Sequence, residues 1–135
     1  NELALSAGTR WGPGRLGGAL VLDGISGEGL TNHTNPSLLD TQTIDIARPR
    51  AVFAHPDGVN IGFSGFAGYG RCGGGISIYN LQTRQSQLLT AATDLLPGHS
   101  PIALAVLPNG DLVGSTSVGC PGGGVVTQTE AEIFR

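Results

Sequence analysis

Few residues in this chain have types that do chemistry: two glycine triplets, two cysteines, three histidines and a scatter of acids and arginines. Gly12-x-Gly14-x-x-Gly17 and Gly68-x-Gly70-x-x-Gly73 match the spacing of a dinucleotide-binding loop. That chemistry requires a helix opening on the third glycine, so that its N-terminus holds the pyrophosphate, and an acid about 20 residues on. Here the triplets run into Ala19-Leu-Val-Leu22 and Ile76-Ser-Ile78, both of strand character, and Asp23 follows the first far too closely. Both triplets read as turn glycines, and no cofactor is expected. Cys72 and Cys120 stand beside Gly-Gly-Gly runs, 48 residues apart, with no CxxC pair to suggest zinc, so no metal is expected. A bridge between neighbouring loops would need an oxidising compartment, while two free thiols fit the sequence equally.

Catalytic constellations are thin. Gly62-Phe-Ser-Gly65 is one residue short of a Gly-x-Ser-x-Gly elbow, and no carboxylate pair has the spacing of a glycosidase. Asp45, Asp94, Asn32 and Asn35 are available to a metal-dependent lactonase without forming a set. Asn32-His-Thr34 is a glycosylation sequon of low specificity. Of the histidines, His55 precedes a Pro56-Asp57-Gly58 turn and reads as a packing residue, whereas His33 and His99 fall in long connections.

The elements that would position these residues repeat. Pro49 to Gly58 aligns without a gap over Pro101 to Gly110, an offset of 52. Gly12 to Gly18 aligns over Gly68 to Gly74, and Ile76 to Tyr79 over Ala131 to Phe134, so the period is about 50 to 57 residues. Within one period the apolar alternation is that of strands: Arg50 to Ala54, Asn60 to Ser64, Ile76 to Tyr79 and Gln87 to Thr90, with a glycine loop from Gly65 to Gly75. Composition agrees. Gly 23 and Pro 8 in 135 residues, with only 13% charged, exclude long charged helices. A net charge of −3, with seven Arg and no Lys, leaves no basic footprint for nucleic acid or an anionic membrane surface.

Four short antiparallel strands per period predict an all-β fold of β-propeller blades, each sheet packing on the next; a β-sandwich of the same strands is the alternative. The Pro-Asp-Gly turn, the Gly73-Gly-Gly75 run and the Ile-Tyr-Asn strand resemble blades of bacterial propellers of the YVTN and SMP-30/gluconolactonase type. Gly114-Ser-Thr-Ser117, Gly122-Gly-Gly124 and Glu130 to Phe134 are similar to a blade of large multi-blade propellers. The likeness covers Arg50 to Arg135 well and Leu3 to Thr31 loosely, and it is one of scaffold. The expected organisation is a single segment, 1–135, with repeats at about 1–48, 49–100 and 101–135.

Ten strands make two and a half blades. This count, with an Asn-Glu start and no Met, predicts a piece completed by missing blades or by other chains. In a propeller the long connections and glycine loops share one face, which places Trp11, Arg15, His33, Tyr69, Arg71, Asp94 and His99 together as weak ligand-binding candidates. The functional expectation is a module presenting that face to a small molecule, a glycan or a protein partner. The alternatives are part of a lactonase-like or carbohydrate-active hydrolase, and a structural unit assembling edge to edge. A Cys72–Cys120 bridge would place the chain outside the cell or in the periplasm, and free thiols in the cytoplasm.

Overall fold

The computed structural model describes the backbone of residues 3–12, 15–24 and 37–135 and the side chains of residues 39–135. The described residues form ten strands and no helix: β1 (Leu3–Gly12), β2 (Arg15–Gly24), β3 (Ser37–Gln42), β4 (Arg48–Ala54), β5 (Asn60–Phe66), β6 (Gly74–Asn80), β7 (Gln85–Thr90), β8 (Ser100–Val106), β9 (Leu112–Ser117) and β10 (Ile133–Phe134). They pair antiparallel throughout, in three sheets ordered β1-β2-β3, β4-β5-β6-β7 and β10-β9-β8. The chain is all-β.

Local chemistry explains the hairpins. Pro56-Asp57-Gly58 and Pro108-Asn109-Gly110 bring the left-handed backbone that each turn requires, Gly58 at φ 70° and Gly110 at φ 91°. In both, the glycine N–H donates back to the residue before the proline, Gly58 to His55 at 3.1 Å and Gly110 to Leu107 at 2.9 Å. The first turn holds one residue more, closing on Ala54↔Ile61 where the second closes on Val106↔Leu112. Asp57 secures the longer turn by accepting from the N–H groups of Val59 and Asn60. Pro49 and Pro101 lie inside β4 and β8, where a missing N–H would break a regular ladder. Each sits at a register shift, Pro49/Ala51 and Pro101/Ala103, the kind of irregularity that admits proline in a strand.

Three boundaries differ from expectation. The glycine loop between β5 and β6 shrinks to residues 67–73, because Gly65 pairs with Gly75 and Phe66 with Gly74. These glycines serve close backbone approach: a Cβ on Gly65 would run into the Arg48 carbonyl, and one on Gly74 into the Gly65 carbonyl. The first glycine triplet is not a comparable loop. Gly12 pairs with Arg15 and Gly17 with Arg10, so Gly12 ends β1 and Gly17 lies inside β2. The last strand, expected from Ala131, pairs only at Ile133 and Phe134.

The middle sheet is covered on both sides. Ile61, Phe63 and Tyr79 gather on one face with Ile46, joined by Leu39 of β3 and by Leu81 and Leu88. On that face the Asp40 carboxylate of β3 accepts from the Ser77 hydroxyl and, at 3.3 Å, from that of Ser86, tying the first sheet to the second. Gly62, Ser64 and Ile76 alternate onto the opposite face, and β8 lies across β4, β5 and β6 there. Correspondingly, β4 lies against β1 and β2. Burying Phe63, fully inaccessible, contributes roughly 1.5 to 3 kcal/mol by apolar area alone.

Candidate functional site

The connections segregate to two ends of the sheets. At one end the two Pro-Asx-Gly turns meet: His55 Nε2 lies 2.8 Å from the Gly110 carbonyl oxygen. A carbonyl only accepts, so Nε2 carries the proton. Nδ1 then faces the Asp57 N–H and, at 2.9 Å, the Asp57 carboxylate. His55 is more than a packing residue within its own turn, since it joins two sheets. Its reach across 55 residues is a tertiary fact that local spacing does not signal.

At the other end lie the connections β3–β4, β5–β6, β7–β8 and β9–β10, and they are laced together. Gly68 N–H donates to Ile44 at 2.8 Å, Gly70 N–H to Gly122 at 3.1 Å, and Gln128 Nε2 to Pro97 at 3.1 Å. Cys72 and Cys120 form a disulfide, which fixes the β5–β6 loop to the β9–β10 loop. The Ser100 hydroxyl donates to the Gly73 carbonyl at 2.7 Å, pinning the end of the glycine loop to the start of β8.

The sequence candidates distribute unevenly over this end. Tyr69 is 61% exposed, with the Arg48 guanidinium 4.6 Å from its ring centroid. On its other side the ring presses on Gly122, at φ 73°, where any Cβ would collide with it. Arg71 is exposed two residues on, its N–H bonded to the Gly68 carbonyl at 3.2 Å. Tyr69 and Arg71 therefore share the open surface. His99 is buried, and its Nδ1 lies 3.0 Å from the Thr116 hydroxyl, which in turn accepts from the Glu132 N–H at 2.8 Å. It holds β8 to β9 and the approach to β10. Asp94 is exposed and closes its own turn; its carboxyl is held below the usual carboxylate range, chiefly by the Thr90 N–H and then by the Thr93 hydroxyl.

Trp11 and Arg15 lie on β1 and β2 near the hairpin between them, with their side chains outside the described residues, and His33 lies outside them altogether. Arg15 in a strand and Arg71 in a loop do not occupy equivalent positions. Arg48 is the residue that sequence reasoning missed. Its signal was faint: an Arg-Pro-Arg start to a strand, in which Arg48 reaches Tyr69 and Arg50 lies 5.1 Å over Phe66.

Chemically, this end offers an exposed phenol with the Arg48 guanidinium against its ring and the exposed Arg71 two residues on, on a covalently fastened loop pair. The described aspartates whose carboxylates have partners are engaged in structure: Asp40 between sheets, Asp57 and Asp94 in turns, and Asp111 with Arg135. Among the described residues, no three of His, Cys, Asp or Glu converge as a metal site would need, and no helix is long and apolar enough to cross a membrane. No protein-family model, curated protein or solved structure matches the chain.

Proposed function

We propose that the chain is an arc of a β-propeller whose loop end is a binding surface, with Tyr69, Arg48 and Arg71 as its contact residues. Support for the propeller comes from antiparallel sheets stacked face to face in sequence order, with corresponding prolines at corresponding bulges. The observation that carries the binding reading is the fastening of the exposed Tyr69: a disulfide beside it, an arginine over it and a glycine under it. Ordering an exposed aromatic before a partner arrives lowers the entropy cost of binding it. A guanidinium against the phenol and a second arginine two residues on suit a partner combining a ring or sugar with an anionic group, which makes an acidic glycan the first class to try. A bridge of this kind fits an oxidising compartment, so the location we propose is extracellular or periplasmic.

The hydrolase alternative draws less support, because Asp40, Asp57, Asp94 and Asp111 are occupied in sheet contacts, turns and an ion pair. Screening against a glycan array, followed by Tyr69→Ala and Arg71→Ala, tests the proposal. Each variant should weaken a hit at least tenfold while leaving the unfolding midpoint close to that of the parent. Ligand-induced protection at His55 and Asn109, with Tyr69 unaffected, would reverse the assignment of faces.

A further inference from the structure

The outer face of the third sheet is bare in a way that its counterpart is not. Register aligns the two sheets row by row. Across the middle sheet, Ala51 pairs with Ser64 and Ser64 with Ile76; across the third, Ala103 pairs with Ser115 and Ser115 with Ile133. In the next row, Phe53 and Gly62 correspond to Ala105 and Val113. In the middle sheet this face is covered by β8, and Ser64 and Ile76 are 0% and 1% exposed. In the third sheet Ile133 is 81% exposed, Ala103 and Ala105 are exposed, and the face forms a shallow groove of about 240 Å³ with no charged side chain in its lining. Sheet faces left to water normally alternate apolar with charged or polar residues, and a contiguous uncharged patch marks a contact surface.

The geometry points to this groove as the seat for the first sheet of a second copy, stacked head to tail. Two features single out that occupant. The contact already exists inside the chain, where the middle sheet takes the third on this same face, so another sheet of the same kind continues an established interface. The described strands of the first sheet pack on the middle sheet, β1 and β2 on β4 and β3 on β6, which leaves the opposite face of that sheet as the one a head-to-tail stack would use. Head-to-tail contact joins unlike surfaces, so it builds a closed ring or an open chain rather than a two-fold dimer. Two copies bring six sheets, a number within the four to eight typical of closed propellers. Ring closure rests on the propeller reading, whereas the contact itself does not.

Native mass spectrometry and sedimentation on the intact chain at micromolar concentration test the contact. Assembly beyond the 13.7 kDa monomer is expected, and Ile133→Asp or Ala105→Arg should weaken it at least tenfold while leaving the circular dichroism spectrum unchanged. A parent chain that stays monomeric, or an assembly indifferent to both substitutions, overturns the proposal. Orientation is read by replacing Ile133 with photoreactive benzoylphenylalanine in a mixture of ¹⁴N and ¹⁵N chains. Interchain adducts on residues 3–24 or 37–42 support head-to-tail stacking; adducts on residues 100–135 of the other copy mean a face-to-face pair and overturn it. A finite species against an open ladder separates ring closure, and with it the propeller reading, from the contact.

Discussion

The middle and third sheets are built from the same parts and meet opposite fates. Both open on a proline bulge, turn through Pro-Asx-Gly, and cross from a small residue through serine to isoleucine. Ile76 is sealed between sheets while Ile133 stands in solvent. Side-chain type therefore does not decide burial here; position in the stack does. A residue's energetic weight is set by what lies on the far side of its sheet, because area is removed from water only where a neighbour covers it.

The sharpest way to break this comparison is to truncate matched residues. Phe63→Ala should cost about 3 to 5 kcal/mol and Ile76→Ala about 2 to 5, whereas Ile133→Ala in the monomer should stay within about 0.5, by urea unfolding. A costly Ile133→Ala at concentrations where the chain is monomeric would mean that its face is already covered. Next in size is the fastening between the sheets. Replacing both Cys72 and Cys120 with Ser should lower stability by roughly 2 to 4 kcal/mol, through the larger entropy of the unfolded chain, with parent and variant compared under non-reducing conditions. A loss this large with unchanged secondary structure would show that the disulfide joins sheets already formed.

Smaller effects sharpen the comparison at the two turns. Gly110→Val should destabilise by roughly 1 to 3 kcal/mol, and more than Gly58→Val, although both glycines have positive φ. The difference arises because a Cβ on Gly110 meets the His55 ring at 3.2 Å, while one on Gly58 meets nothing. Equal losses would remove His55 from the contact between sheets.

The smallest effect is on pH. Asp57, Asp94 and Asp111 all sit below the carboxylate value of 3.8, held down respectively by the Asn60 N–H, the Thr90 N–H and the Arg135 guanidinium as leading causes. Because the folded state favours their ionised form, their contribution is complete above the unfolded pKa and is lost as pH falls through the folded values. Denaturation midpoints should carry no slope from these groups between about pH 5 and 8 and should decline below about pH 4. A midpoint that stays level down to about pH 3 would remove these carboxylates from the stability of the fold.

Strands and turns were legible from local sequence because their causes are local. Pro-Asx-Gly demands its turn wherever it occurs, and the alternation in Ile76 to Tyr79 or Asn60 to Ser64 is the period of a pleated strand. The boundaries that moved did so for nonlocal reasons. Gly65, Gly74 and Gly75 look like loop residues in isolation, and only the approach of β4 to β5, of β5 to β6 and of β6 to β7 makes glycine necessary inside a ladder. The site was legible by half: Tyr69 and Arg71 do share a surface, but Arg48 reaches Tyr69 from another strand, and His99 turns inward to Thr116.

What the sequence alone determined is the all-β character, the hairpins and the candidate loops, since these follow from backbone preference and side-chain period within a few residues. Tertiary structure decided the rest. It chose between the bridged and the free cysteines by bringing two loops together, set His55 against a turn 55 residues away, and buried Ile76 while leaving Ile133 bare. Each of those outcomes depends on how one sheet lies on the next, and that contact couples residues about fifty positions apart, beyond the reach of any local pattern.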